Sequence, residues 1–242
     1  MREKYSLELL KSLGIKRHVH LTADTAFLVD AESINSGYSL LNDAGIPRNN
    51  KLRVGITVKD FKFSHASKRT KETQYMSAVM AAIEKIIEET GAMVIFFPNV
   101  IFGPYDDDRV PSFQIKDKIR KSYSENIFIL TENYSPEQLK AMMGTMDIFV
   151  GTRIHSNIFA TSMNVPAIAI AYEKKHHGIM EMLGLGDYVL DISSIDSDKL
   201  VAAVQKLIQN RETVIQIIKE RIPIVQREAR RNIEFIERLL SE

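Results

Sequence analysis

The residues best placed to do chemistry are concentrated in one stretch, Asp147-Ile-Phe-Val-Gly-Thr-Arg-Ile-His-Ser156. An apolar strand ends at Val150, Gly151 permits a tight turn, and Thr152 is of a type that caps a helix running through Phe159 and Met163. Arg153 and His155 then fall in the first turn of that helix. Free backbone N–H groups and the positive end of the helix dipole favour an anion there. Arg153 adds a planar fork suited to phosphate or carboxylate. His155 adds a group that gives or takes a proton near neutral pH. The plainer alternative is a surface ion pair for Arg153 and a satisfied buried imidazole for His155.

Three further stretches carry polar side chains at strand ends. Tyr172-Glu-Lys-Lys-His-His-Gly178 offers Lys175 to an anion and Glu173 to a hydroxyl. His176 and His177 are consecutive and point apart, with no partner at ligand spacing, so no metal is expected. The loop Pro98 to Arg109 contains Asp106-Asp107-Asp108, which could hold a divalent ion or sugar hydroxyls, or be plain solvated charge. The exit of the first strand, Lys59 to His65 with Lys68 and Arg69, could face phosphate or be a basic loop.

The elements that must position these residues alternate between two periodicities. Arg53–Val58, Met93–Phe97, Ile127–Leu130, Ile148–Val150, Ala167–Tyr172 and Tyr188–Leu190 are short apolar runs of strand length. Between the first two, Tyr75, Val79, Ala82, Ile83, Ile86 and Ile87 fall on one face of a helix. Ser135, Pro136 and Gln138 have the spacing of a helix start. Continuous apolar strands separated by helices predict a doubly wound α/β domain with a mainly parallel sheet. Ligands of such sheets bind beyond the carboxyl ends of the strands, where all four polar stretches fall.

The expected division is residues 51–242 as this Rossmann-like domain with C-terminal helices, and residues 1–50 as something else. Tyr5 to Leu13 reads as a short helix, His18 to Val29 as a strand and its exit, and Asn35 to Asn50 as a linker. One helix and one strand cannot make a core, so 1–50 is expected to be the tail of another domain or a lead-in. Ser197 to Glu242 is helical throughout, with Pro223 expected to kink or restart its second helix. Leu200, Val204, Leu207 and Ile208 form one apolar stripe; Val225, Ala229, Ile233, Ile236 and Leu240 form another. Both are expected to pack on the sheet.

The chain has 242 residues, 45% apolar and 26% charged, the balance of a globular protein. Lys+Arg 32 against Asp+Glu 31 gives no field that would mark a nucleic-acid binder. Zero cysteines exclude disulfides and thiolate chemistry and fit a reducing compartment. With no apolar run of membrane-spanning length and a charged start leading directly into a helix, a soluble, cytoplasmic protein is expected. GxGxxG after the first strand, GxxxxGK[ST], GxSxG and HExxH are all absent, which removes the main support for dinucleotide, P-loop, esterase and zincin functions.

Met146-Asp-Ile-Phe-Val-Gly-Thr-Arg-Ile-His155, followed by Phe159-Ala160, Val165-Pro166 and Ala171-Tyr172-Glu-Lys-Lys175, resembles the polysaccharide pyruvyl transferase family. Phe97-Pro98 with the Asp106–Asp108 run, and Arg2 to Gly14 with Thr22-Ala23-Asp24, agree with the same pattern. Thr152 in place of a Met, Glu173-Lys174 in place of Asp-Pro, and Asn99 in place of a frequent His depart from it. The family also usually carries more of an N-terminal domain ahead of this point.

The resemblance implies a fold like the C-terminal domain of GT-B glycosyltransferases. It implies transfer of a pyruvyl group from phosphoenolpyruvate to a sugar of a cell-surface polysaccharide or its lipid-linked precursor, forming a ketal. Phosphoenolpyruvate is then a co-substrate and no further cofactor is needed. Arg153, Lys175, Thr152, Gly151 and Glu173 would bind substrate, His155 would move the proton, and Asp107 and Asp108 would lie on the acceptor side. Peripheral membrane association and homo-oligomerisation stay open. Two alternatives remain: a glycosyltransferase that places a nucleotide-sugar diphosphate on the same helix, or a non-catalytic domain that binds carbohydrate or a partner.

Overall fold

The computed structural model describes residues 1–61, 66–103 and 106–241, with the side chains of 66–72 outside the description. In chain order, α1 (Lys4–Ser12) and α2 (Ile34–Asp43) precede β1 (Arg53–Thr57), α3 (Ala66–Thr90) and β2 (Met93–Phe96). A short antiparallel pair, β3 (Ile101–Phe102) and β4 (Asp106–Asp107), leads to α4 (Arg109–Lys118) and β5 (Ile127–Ile129). Then come α5 (Pro136–Met143), β6 (Ile148–Gly151), α6 (Ile154–Ser162), β7 (Ala167–Ala171), α7 (Lys174–Met182) and β8 (Val189–Asp191). Helices α8 (Ser197–Gln209) and α9 (Arg211–Ser241) follow.

Six strands form one sheet in the order β5-β2-β1-β6-β7-β8, every described pair parallel. The chain winds outward from β1 to β5, returns beside β1 as β6, and winds outward again to β8. The crossover between β1 and β6 therefore opens a crevice at their carboxyl ends. Every residue of β1, β2, β6 and β7 is buried, as strands covered on both faces require. This is the expected doubly wound sheet.

Local signals explain the elements that carry the site. Helix α5 begins with the full capping box: Gln138 N donates to Ser135 Oγ (3.3 Å) and Ser135 N to Gln138 Oε1 (3.0 Å). Strand β6 must end in glycine, because a Cβ on Gly151 would lie 2.3 Å from Asn157 Oδ1. That close approach lets Asn157 Nδ2 donate to Gly151 O at 3.0 Å, tying the strand to α6.

Three expectations fail. Residues 34–43 form α2, a helix capped by Ser33, where a linker was expected. Gly37 there is a packing residue: a Cβ would lie 2.5 Å from Ala141 O of α5. Residues 18–29 contain no strand; Asp24 caps a 3₁₀ turn over Thr25–Leu28 instead. Phe27, Leu41 and Ile46 join the same hydrophobic core as the sheet. Of the two outcomes expected at Pro223, a restart does not occur: α9 runs through it as one helix, with Ile218, Ile222, Val225 and Ala229 buried on one face on both sides of it. Its stripe packs only in part: Val225 and Ala229 are buried, but Ile233, Ile236 and Leu240 are exposed. Thirty-one residues make a rod of about 46 Å. Among the described residues no helix is long and apolar enough to cross a membrane.

Candidate active site

Arg153, His155 and Lys175 line one cleft of about 500 Å³, together with Asn99, Tyr134, Phe159 and Tyr172. It lies at the carboxyl ends of β6 and β7, at the edge the winding predicts. The three side chains bearing the most chemistry in the sequence are thus brought together. Thr152, Gly151, Glu173, Asp107 and Asp108 are not among its lining residues.

Thr152 does not cap α6. Arg153 occupies the cap position, its side chain making no capping bond, and Thr152 is buried with its Oγ1 2.8 Å from the Tyr75 hydroxyl. Nor are all the amides at this helix start free, as expected. Thr57 Oγ1 of β1 accepts from Thr152 N (3.0 Å) and Arg153 N (3.2 Å) and sits 2.9 Å from Ser156 Oγ. The amides of Ile154 and His155, the first of the helix, have no acceptor within it. Both residues line the cleft.

Arg153 is held by carboxylates. Its Nη2 donates to Asp108 Oδ1 (2.6 Å) and Asp106 Oδ1 (2.8 Å), and its Nε to both Asp108 oxygens (3.2 and 3.1 Å). Asp108 is buried and also accepts from Asn99 N (3.1 Å) and Val100 N (3.0 Å). Lys59 Nζ lies 3.4 Å from Asp106. Burial works against the Arg153 charge, but Asp108 and Asp106 more than offset it and hold the guanidinium above its ordinary range. Burial likewise opposes ionisation of Asp106, yet Arg153 and then Lys59 hold it below the usual carboxylate value. For Asp108 burial dominates and raises the carboxyl, only partly countered by Arg153 and the two amides.

Asp107, expected beside Asp108 on the acceptor side, turns the other way. It accepts from Arg109 N (2.9 Å), Nε (3.0 Å) and Nη2 (2.7 Å). Alternate residues of the short strand β4 point to opposite faces, so Asp106 meets Arg153 while Asp107 does not. Asp106 was in the acidic run read from the sequence, but not as a partner of Arg153, because only its parity in a two-residue strand decides its direction.

The His155 side chain is 54% exposed, with Nε2 3.9 Å from Asp24 Oδ2. Partial burial lowers its pKa; Asp24 counters in part, while Arg2 and Lys175 push the same way as burial. The ring is therefore mostly neutral at pH 7. Asp24 itself is fixed by Arg2 Nη1 (2.7 Å) and Ala26 N (3.0 Å). This carboxylate at the back of the imidazole also escaped the sequence, 131 positions upstream.

Lys175 Nζ pairs with Glu173 Oε2 at 2.7 Å, the lysine mostly buried and the glutamate half exposed. His176 is buried, with Nε2 3.2 Å from Thr152 O and Nδ1 3.1 Å from Glu173 O, bracing the start of α7 against the β6 exit. His177 pairs separately with Asp191. The consecutive histidines thus diverge, as expected from their spacing. Of the β1 exit, Lys59 is near the site; residues 62–65 and the side chains of Lys68 and Arg69 lie outside the described residues.

The polysaccharide pyruvyl transferase family matches residues 1–174, most of the chain and the whole Arg153–His155 segment. The chain belongs to that family. Lys175 falls one residue past the matched span. The amylovoran biosynthesis protein AmsJ of Erwinia amylovora is 26% identical over 219 residues, covering 89% of this chain and 52% of AmsJ. The chain thus spans about half the length of that curated relative. Among solved structures, the S. aureus MnaA–UDP complex superposes with a TM-score of 0.62 at 15% identity, covering 99% of this chain and 58% of that one. The E. coli ADP-heptose LPS heptosyltransferase II gives 0.56 at 11% identity, covering 81% and 56%. At such identities these likenesses show the fold, a Rossmann-like domain of the GT-B type.

Proposed function

We propose that this family member transfers a pyruvyl group from phosphoenolpyruvate to a sugar in exopolysaccharide biosynthesis, with the donor bound in the 500 Å³ cleft. The observation that supports this most is the convergence of Arg153, His155 and Lys175 on that cleft in a chain of this family. Phosphoenolpyruvate carries a phosphate and a carboxylate, and needs two cationic contacts a short distance apart. Arg153, immobilised by Asp106 and Asp108, supplies a fixed charge, and the Ile154 and His155 amides add donors. Lys175 is the mobile contact, able to leave the half-exposed Glu173.

His155, neutral at rest, takes the proton of an acceptor hydroxyl and, as imidazolium, delivers it to the methylene carbon of phosphoenolpyruvate, making the methyl group. That protonation makes C2 electrophilic, and the hydroxyl oxygen bonds to it. The bond from C2 to the phosphate oxygen breaks and phosphate departs with the electron pair. A second hydroxyl of the sugar adds to C2, closing the ketal, and its proton leaves with phosphate. Asp24 steadies the imidazolium between the two transfers.

The test is incubation of the protein with phosphoenolpyruvate and an oligosaccharide acceptor, following phosphate release and a product heavier by one pyruvate less one water. His155→Ala is expected to lose about 10²–10⁴ of the rate while still binding phosphoenolpyruvate. Unchanged turnover in His155→Ala would remove the proton role.

A further inference from the structure

A second cleft, of about 290 Å³, adjoins the first and shares Asn99, Tyr134 and Leu139 with it. It is close to the lower bound for small-molecule sites, and the two clefts meet along that common wall. We propose that this smaller cleft is the acceptor subsite and that it takes a neutral pyranose ring, excluding uronates and sugar phosphates. The donor is that of the function proposed above; the subsite itself is argued from its own walls.

Tyr134 is partly buried and packed on the hydrophobic core, which fixes its ring as a wall. Such a ring, with Leu139 beside it, offers an apolar surface to the C–H face of a sugar and a hydroxyl at its edge. Burial raises the Tyr134 pKa, with Glu132 and Asp43 adding to it, so the phenol stays protonated and can donate. Asn99, Asn133 and Glu132 supply the amide and carboxylate groups that hydroxyls require.

Two observations favour a hydroxyl-bearing, uncharged guest. Asn99 lines the wall common to both clefts, and its Oδ1 is committed to no hydrogen bond among the described residues. Among the described residues no Lys, Arg or His lines the smaller cleft, and Glu132 is the one carboxylate among them that does. The nearby Arg109 is committed to Asp107 and to Thr131 O. An anionic ring would meet Glu132 with no cationic side chain among the described lining residues to pair it.

Asn99 also links the two chambers mechanically. Its amide is gripped by Asp108, the carboxylate that holds Arg153. Asp108 is thereby a positioning residue that keeps acceptor and donor walls in register. The acceptor-side role expected of Asp107 and Asp108 passes to Asn99, Asn133, Tyr134 and Glu132.

The test is ligand-observed NMR titration of the protein with a neutral methyl hexopyranoside and with the matching methyl hexuronide. The neutral glycoside is expected to bind and to weaken about tenfold in Tyr134→Ala and in Asn99→Ala, the loss of a contact or hydrogen bond. The hexuronide is expected to bind at least about tenfold more weakly and to gain on Glu132→Gln. Should Tyr134→Ala fail to fold, the exposed Asn133→Ala supplies the same comparison. No binding of the neutral glycoside, binding untouched by these substitutions, or a hexuronide bound equally well each overturns the subsite. Phosphoenolpyruvate binding is measured separately, so loss of the donor alone leaves a Tyr134-dependent glycoside signal standing.

Discussion

At the scale of single residues, the two cations of the donor cleft differ in freedom. Arg153 is clamped by two carboxylates, one fully buried, whereas Lys175 is restrained by one half-exposed glutamate. An exposed pair of that kind contributes about 0–1 kcal/mol, so Glu173 is a weak competitor for the lysine. Glu173→Gln should therefore tighten phosphoenolpyruvate binding by about two- to fivefold, measured calorimetrically; weaker binding would mean that Glu173 itself holds substrate. The histidines set a pH dependence. Burial lowers the pKa of both His155 and His176 in the folded chain, below an unfolded value of about 6.5. The unfolded chain then binds more protons as pH drops, so this stabilisation is complete above pH ~7 and is lost as pH falls through 6.5 towards the folded values. Thermal midpoints should decline from pH 8 to 6, with a shallower slope in His155→Ala. A flat profile would contradict the stated burial. Arg153, His155 and Lys175 were legible from residue type and strand-end position alone. The pairings of Asp24 with His155 and of Asp106 with Arg153 were not, because the partners come from 131 and 47 positions away.

At the scale of elements, the start of α6 is aimed by its neighbours more than by its own cap. Thr57 gathers the Thr152 and Arg153 amides, and Asn157 closes on Gly151. The Gly-Thr pair signals the turn in the sequence, but Thr152 faces Tyr75 inside the protein. Gly151→Ala should cost about 1–3 kcal/mol in urea denaturation, since the new methyl meets the Asn157 amide. Asn157→Ala removes that obstacle, so the double variant should be less destabilised than the sum of the two single losses. Additive losses would show that the glycine is needed for another reason. The strands were legible because they are short unbroken apolar runs, and α5 because its cap box is local. Helix α2 was not, because Asn35, Gly37 and Asn42 look like loop composition. Gly37 is there to let α5 approach, a reason that exists only once the two helices are packed.

At the scale of the molecule, the strand order matters more than any one motif. Winding out to β5 and returning at β6 puts the loops after β1, β2, β6 and β7 around one crevice. Residues 59, 99, 106, 108, 153–155 and 175 meet there although the sequence scatters them. The termini reinforce the same face: Asn232 of α9 accepts from Thr22 Oγ1 (2.8 Å) and donates to Ala23 O (2.9 Å), beside the Asp24 that backs His155. Alternation of apolar runs and helices revealed the sheet, but not how residues 22–28 return to it, since that return rests on Phe27 in the core and on Asn232, from the far end of the chain, bonded to Thr22 and Ala23. The most direct measurement is calorimetric titration of the protein with phosphoenolpyruvate, with uridine diphosphate as the competing ligand, on the unaltered chain and on Arg153→Ala and Lys175→Ala. Saturable phosphoenolpyruvate binding, about tenfold or more weaker in each variant and insensitive to uridine diphosphate, is the expected result. Binding unchanged by both substitutions, or uridine diphosphate bound in place of phosphoenolpyruvate, would contradict the donor cleft.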